Sequence, residues 1–195
     1  MTESLRIAIA EDEPELLADL GETLAEFGHT IVATAANGRE LVERCCETTP
    51  DLVITDIKMP DMDGLEAARK IRSIRPTPVV IVSAFHDDQF VKRALAEHVL
   101  AYLVKPLNPH SLKASIALAM QRFREFQVLR EQAADLHQAL EDRKFIERAK
   151  GILMQRAQLT EPDAFKRLQL LSSQKNKKMA DVARMLVEAD SAFQE

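Results

Sequence analysis

"DLVITDIKMPDMDG", residues Asp51–Gly64, runs an apolar segment into a carboxylate. Leu52 to Thr55 is short and rich in β-formers, as expected of a strand buried on both faces. It stops at Asp56, and Met59-Pro60 and a turn-like Asp63-Gly64 follow. An acid placed where a buried strand runs out has a chemical use if that strand belongs to an open parallel sheet. In such sheets ligands gather outside the C-terminal ends of the strands.

The surrounding sequence supports that sheet. Apolar runs recur at Leu5–Ala10, Ile31–Thr34, Val79–Ser83 and Leu100–Val104. Between them lie helical patterns. Leu16, Leu17, Leu20, Leu24 and Phe27 are spaced for one face of a helix, and Gly28 stops it. Further helices are expected over Gly38–Glu47, Leu65–Ile74 and Asp87–Ala96, and Pro109 opens another where its missing N–H costs nothing. Five strands alternating with five helices predict an α/β fold with a doubly wound, five-stranded parallel sheet. The second strand, "TIVATAA", is the thinnest in large apolar residues.

From Pro109 to about Ala157 there is no proline, and the first glycine is Gly151. Ala119, Arg122, Phe126, Leu129, Ala133, Leu136 and Leu140 step by threes and fours, an a/d seam with an arginine in it. A helix of ~45 residues spans roughly 65–70 Å and cannot bury its stripe on one small domain along that length. It reads as a coiled-coil connector, either intermolecular or folded against another helix. Behind it the tail carries three helical segments. They are Lys144–Gln158, a second helix capped by Thr160 with Pro162 and Asp163 in its first turn, and Met179–Ala189 with Val182, Met185, Leu186 and Val187 inward. Ser173–Lys178 is read as a basic loop, and Phe145 and Phe165 as core residues. The expected division is residues 1–120, a linker helix 121–141, and a small all-α domain 142–195.

Charge follows that division. Residues 1–120 hold 12 Lys/Arg against 19 Asp/Glu, and residues 142–195 hold 11 against 8. An acidic front and a mildly basic back suggest two functional parts. No apolar run approaches the ~20 residues needed to cross a bilayer. No basic-then-apolar leader opens the chain. Cys45 and Cys46 are adjacent, which excludes a disulfide framework and makes a poor metal site. A reducing cytoplasm fits all of this.

The expected strand ends collect one set of side chains. Glu11-Asp12 follow the first strand, Asp56 the third, Ser83 ends the fourth, and Lys105-Pro106 follow the fifth. Three carboxylates at one edge repel unless a cation sits among them, and an oxygen-only, incomplete shell favours Mg²⁺. A lysine and a hydroxyl beside it suit an incoming phosphoryl group. Asp56, kept ionised, is then the candidate nucleophile for a reversible aspartyl phosphate. Taken singly, each residue reads as a cap, a turn residue or a solvated charge.

These residues carry a resemblance. "IAIAEDEPELL", "DLVITDIKMPDMDGLE", "VVIVSAF" and "AYLVKPL" resemble the acidic pair, the phosphorylation segment, the fourth strand and the lysine-proline segment of two-component response-regulator receiver domains. The resemblance implies a flavodoxin-like sheet of order 2-1-3-4-5 and phosphorylation of Asp56 by a histidine kinase. It implies Mg²⁺ held by Asp12, Asp56 and the backbone carbonyl of Lys58, with Glu11 acting through water. Ser83 and Lys105 would hold the phosphoryl group, and Tyr102 would be an aromatic switch. Two departures stand out: Glu11 replaces a commoner aspartate, and "AEHVLAYL" lacks the family's usual glycine before the fifth strand.

The tail, Phe145–Ala189, is similar to the ANTAR output domain in "AKGILM", "EPDAFKRL" and "NKKMADVA". That resemblance implies a non-enzymatic regulator that binds RNA hairpins in leader transcripts, prevents terminator formation, and dimerises through the coiled coil. Lys150, Arg156, Lys166, Arg167, Lys175, Lys177 and Lys178 would contact phosphates, and Asn176 base edges. By charge alone a solvated helical face fits as well. A DNA-binding helix-turn-helix is the rival, disfavoured by the length of "SSQKNKKM". A protein-docking bundle without nucleic acid is the other alternative.

Overall fold

The computed structural model describes residues 4–84, 92–93 and 99–192, and the chain divides into two compact units, residues 1–126 and 127–195. The helix expected over Asp87–Ala96 lies outside the described residues, apart from Lys92 and Arg93, which are helical.

In the first unit the strands are β1 (Arg6–Ala10), β2 (Thr30–Ala35), β3 (Leu52–Thr55), β4 (Val79–Ser83) and β5 (Ala101–Val104). They form one parallel sheet in the order β2-β1-β3-β4-β5, the doubly wound arrangement expected. β3 and β4 are buried along their whole length, which is why their sequences are continuous apolar runs. β2 and β5 lie at the edges and are only partly buried, which explains the thin second run. Helices α1 (Pro14–Glu26), α2 (Gly38–Thr48) and α3 (Gly64–Ile74) return the chain between strands. α2 and α3 cover one face with Leu41, Cys45, Leu65, Ala68 and Ile71. Leu20 and Leu24 of α1 cover the other, together with Leu112, Ile116 and Ala119 from the start of α4 (Pro109–Ala157). Cys45 packs in the core, where burial pushes its thiol up to about 12, so it is an inert filler rather than a reactive group.

Ala119 therefore belongs to the sheet's core, not to a coiled-coil seam. The first turns of α4 find apolar surface to cover. Beyond them Phe126, Leu129, Leu136 and Leu140 are all more than half exposed.

The second unit comprises the C-terminal part of α4, α5 (Glu161–Lys175) and α6 (Met179–Ala192). The segment read as Lys144–Gln158 is continuous with α4 and ends where Gln158 turns to a left-handed φ of 52°. Ala149, Leu168, Val182, Ala183 and Val187 form the core, flanked by Phe145, Ile146, Leu153 and Leu186. Four expectations are corrected. Met185 is 42% exposed and Phe165 37% exposed, because each helix buries only a narrow face, Ala164 and Leu168 on α5 and Val182, Ala183 and Val187 on α6, and leaves flanking positions outside. The basic loop is short. α5 continues through Lys175 and stops where Asn176 adopts the left-handed conformation, leaving Asn176–Lys178 as the turn. Backbone bonds from Lys177 N to Ser172 O and from Asn176 N to Ser173 O close it. Thr160 does precede α5, but its hydroxyl donates to the Asp163 carboxylate instead of accepting a backbone N–H.

Candidate functional site

The site grows from the sheet's own hydrogen bonding. Asp56 N–H donates to Ala10 O (3.0 Å), Glu11 N–H to Ala35 O (3.1 Å), and Lys105 N–H to Ser83 O (2.9 Å). Each residue stands one step beyond a strand yet remains tied to its neighbour. Side chains from β1, β3 and β5 thus emerge at one edge. The order reverses between β1 and β3, the switch point where such sheets bind ligands.

Lys105 Nζ donates to Glu11 Oε2 (2.6 Å) and to Asp56 Oδ2 (2.8 Å). Asp56 Oδ1 is taken up by the N–H groups of Ile57 and Lys58. One carboxylate oxygen is therefore clamped by backbone and the other faces the lysine. Glu11 is 3% exposed, and its Oε1 is buried without a partner among the described residues. Asp12 is exposed. One oxygen each from Glu11, Asp12 and Asp56 lies within 4.8 Å of the others. Burial raises the Glu11 carboxyl above its usual range, against the pull of the Lys105 hydrogen bond. Burial alone would lower the Lys105 ammonium, but hydrogen bonds to Asp56 and Glu11 outweigh it and hold it above its ordinary value. A single ammonium thus leaves an acid oxygen unsatisfied, and that donor set fits a hard divalent cation.

Ser83 is fully buried at the end of β4, beside Lys105 through the 2.9 Å backbone bond. Tyr102 lies on β5 opposite Ile81 and is half-buried against the α2–α3 side of the core. Lys58 is exposed, and its N–H reaches Asp56 Oδ1 at 3.3 Å.

Sequence reasoning missed the supports. A Cβ on Gly64 would stand 1.9 Å from Asp56 O, so the loop carrying Asp56 closes onto α3 only over a glycine. Gly38 is constrained in the same way against Met62 O, at 2.5 Å. Asp63 caps α3 through Glu66 N and also pairs with Arg93 at 2.7 Å. The Asp-Gly pair signalled a turn, but the tight approach was not readable from it. A groove of ≈ 670 Å³ borders the site, with Glu11 and Lys105 on its wall beside Leu16, Leu20, Pro106 and Leu112.

In the second unit the basic residues separate into two groups. Lys150 is 8% exposed, and its ammonium is held by Glu147 (3.0 Å) and Glu161 (2.7 Å). Hydrogen bonds to Glu161 and then Glu147 raise it, and the same contact lowers Glu161. It ties α4 to α5, with its charge engaged by two carboxylates. Arg156 pairs with Asp190 (3.1 Å) and is likewise committed. Lys166, Arg167, Lys175 and Lys178 are exposed and pair with no acid among the described residues. Lys177 is exposed with Nζ 3.9 Å from Met185 Sδ. The backbone of Asn176 caps α5, and its side chain is exposed.

Comparison with known proteins agrees with this geometry. The family model of the response regulator receiver domain matches residues 7–117, and that of the ANTAR domain residues 134–187. The chain is 44% identical over 183 residues to the transcriptional regulatory protein PdtaR of Mycobacterium tuberculosis, covering 94% of this chain and 89% of the relative. A DNA-binding response regulator of the LuxR family from Staphylococcus aureus superposes with a TM-score of 0.57 at 30% identity, covering 60% of this chain and 98% of that one. A chain of the CheX-CheY-BeF3-Mg²⁺ complex of Borrelia burgdorferi superposes with a TM-score of 0.55 at 28% identity, covering 57% and 85%.

Proposed function

Because the chain belongs to the two-component response regulators and couples a receiver domain to an RNA-binding ANTAR domain, a non-enzymatic combination, we propose the following cycle. A partner histidine kinase phosphorylates Asp56, and the tail then binds RNA hairpins in leader transcripts to prevent termination. The observation that carries this reading is the Lys105 ammonium bridging Glu11 and Asp56 beside a buried carboxylate oxygen with no partner among the described residues.

Asp56 Oδ1 is held by backbone, so Oδ2 is the oxygen that attacks phosphorus. The O–P bond forms as the P–N bond to the kinase's phosphohistidine breaks. Glu11, Asp12, Asp56 and the Lys58 carbonyl would hold Mg²⁺, which supplies charge neutralisation for the incoming phosphoryl oxygens when bound. Lys105 exchanges a carboxylate partner for a phosphoryl oxygen, and Ser83 donates to another. Tyr102 turns as Ser83 is engaged and alters the β4–β5 face. The groove beside Glu11 and Lys105 suits a protein partner docked over the site.

Residues 1–120 are assigned to reception, 121–141 to the connector and 142–195 to RNA binding. The exposed Leu129, Leu136 and Leu140 support a homodimer through the connector. No described helix is long and apolar enough to cross a membrane, and a cytoplasmic site of action is part of the reading. The three-residue turn between α5 and α6 removes the length argument against a DNA-binding helix-turn-helix. The ANTAR match favours RNA. Asp56→Asn tests the cycle. It is expected to keep the fold, take up no phosphoryl group from kinase or small phosphodonor, and leave RNA affinity unresponsive to either. A phosphoprotein band as strong as that of the unaltered chain overturns the assignment.

A further inference from the structure

A small cavity opens on the first unit at the edge of the sheet opposite Asp56. It measures ≈ 120 Å³ and sits between the C-terminal ends of α2 and α3. Thr49 and Pro50 on its wall lead into β3, and Thr77 leads into β4, so it lies where these strands begin. Val42, Cys45 and Ile71 line it with apolar atoms. Ile74, the last residue of α3, also borders it and is 61% exposed. Arg75 follows. Among the described residues the lining carries this one cation and no carboxylate, and Arg75 pairs with no acid. That is a local reversal of charge, since residues 1–120 hold 19 Asp/Glu against 12 Lys/Arg. Thr49 closes α2 in the left-handed conformation, φ 46°, which a β-branched residue seldom adopts. Glycine would take this cap without strain but would leave the cavity without that wall.

Size and charge narrow the occupant. Apolar cavities of about 150 Å³ hold a molecule the size of benzene. Sites for free small-molecule ligands begin at about 300 Å³. A cavity of ≈ 120 Å³ therefore takes one large apolar side chain and little else. Protein partners seat an anchor residue in such a pocket and cover the flatter surface around it. Ile74 supplies apolar surface at the mouth, and the unpaired Arg75 guanidinium selects a carboxylate beside the anchor. A basic segment would meet repulsion there and find no acid in the lining.

We propose that the cavity between α2 and α3 is a docking point for an acidic segment of a protein partner. The segment seats one large aliphatic side chain against Val42 and Ile71 and pairs a neighbouring carboxylate with Arg75. A partner held there leaves the edge that carries Asp56 uncovered. The proposal is independent of the phosphorylation and RNA-binding readings.

Cys46 gives the readout. It lines the cavity and is exposed, while burial pushes the Cys45 thiol up to about 12, so a disulfide dye labels Cys46 first. The full chain is titrated with three blocked peptides, and the rate of Cys46 labelling by Ellman's reagent is followed. One peptide has four aspartates around a central leucine, the second the same aspartates around an alanine, and the third four lysines around a leucine. The leucine–aspartate peptide should slow labelling saturably. Its Kd should lie at least about tenfold below that of the alanine–aspartate peptide, which has the same charge and no anchor. The lysine peptide should give no protection. Arg75→Gln should weaken the leucine–aspartate peptide about tenfold, the loss of a charge-assisted hydrogen bond, and Ile74→Ser should weaken it less. Both side chains are exposed, so the substitutions spare the core. Equal protection by the leucine and alanine peptides would mean that charge alone acts, and would overturn the anchor pocket. An absence of saturable protection by the leucine–aspartate peptide, or protection undiminished by Arg75→Gln, also overturns it.

Discussion

Two lysines in this protein each sit between two carboxylates, and they do different work. Lys105 bridges Glu11 and Asp56, whose side chains are 3% and 9% exposed. Lys150 bridges Glu147 and Glu161, whose side chains are 56% and 64% exposed. Around Lys150 the acids can turn to water, so the cluster is a satisfied surface tie between α4 and α5. Around Lys105 the acids are trapped, and one Glu11 oxygen has no partner among the described residues. Burial makes the first cluster electrostatically incomplete and hence ready for a ligand, while exposure makes the second inert. The two units differ in scale as well. The sheet unit rests on two extensive cores, and the tail on one small one.

The largest effect expected is on that small core. Leu168 is fully buried in it, and Leu168→Ala should cost about 2–5 kcal/mol. The tail's melting transition should separate from that of the sheet unit and fall well below it. A single unchanged transition by calorimetry would mean that the two units are one cooperative block.

Next comes the metal. Mg²⁺ at a hundredfold excess over its dissociation constant should stabilise the sheet unit by about 2.7 kcal/mol. Glu11→Gln should remove much of that gain and raise stability without metal. The sign follows from burial. The folded Glu11 carboxyl lies above its unfolded value, so its contribution is fully present below the unfolded value and is lost as pH rises through the folded one. In metal-free buffer the unaltered chain should therefore lose stability over that window, and Glu11→Gln should flatten the curve. Identical pH profiles would dissolve the contrast between the two lysines.

Gly64→Ala probes the loop that carries Asp56. Its Cβ meets a backbone oxygen, which cannot swing aside, so about 1–3 kcal/mol of strain is expected together with slowed phosphoryl uptake. Normal uptake would show that the loop position is not critical. The smallest effect belongs to Lys150→Ala. It should lower the tail's melting temperature modestly and leave the salt dependence of RNA binding unchanged. A shallower salt slope would return Lys150 to the phosphate-contacting set.

The alternation of apolar runs and helical stripes was enough to read the sheet and its returning helices, because β3 and β4 are buried on both faces and are apolar up to their last residues, Thr55 and Ser83. The acids, the hydroxyl and the lysine were legible as strand-end residues for the same reason, since a strand's end is marked by where its apolar run stops. The tail was less legible. Lys150 and Lys166 look alike in sequence, but one meets Glu161 from another helix and the other meets no acid among the described residues. Phe165 and Leu168 are both apolar on α5, yet only Leu168 faces the core. The basic stretch after Ser173 looked like loop because lysines and serines cluster there, but those residues are compatible with helix, and the left-handed Asn176 sets the end.

The one-dimensional pattern of this chain by itself determined the parallel sheet, the strand-end acids and the long helical connector, since each follows from local periodicity. Tertiary structure alone decided which charges are spent on one another, which oxygen is stranded beside Lys105, and which side of α5 stays open. Those outcomes depend on burial and on partners distant in sequence, and electrostatic cost is set by the surroundings of a charge, not by its residue type.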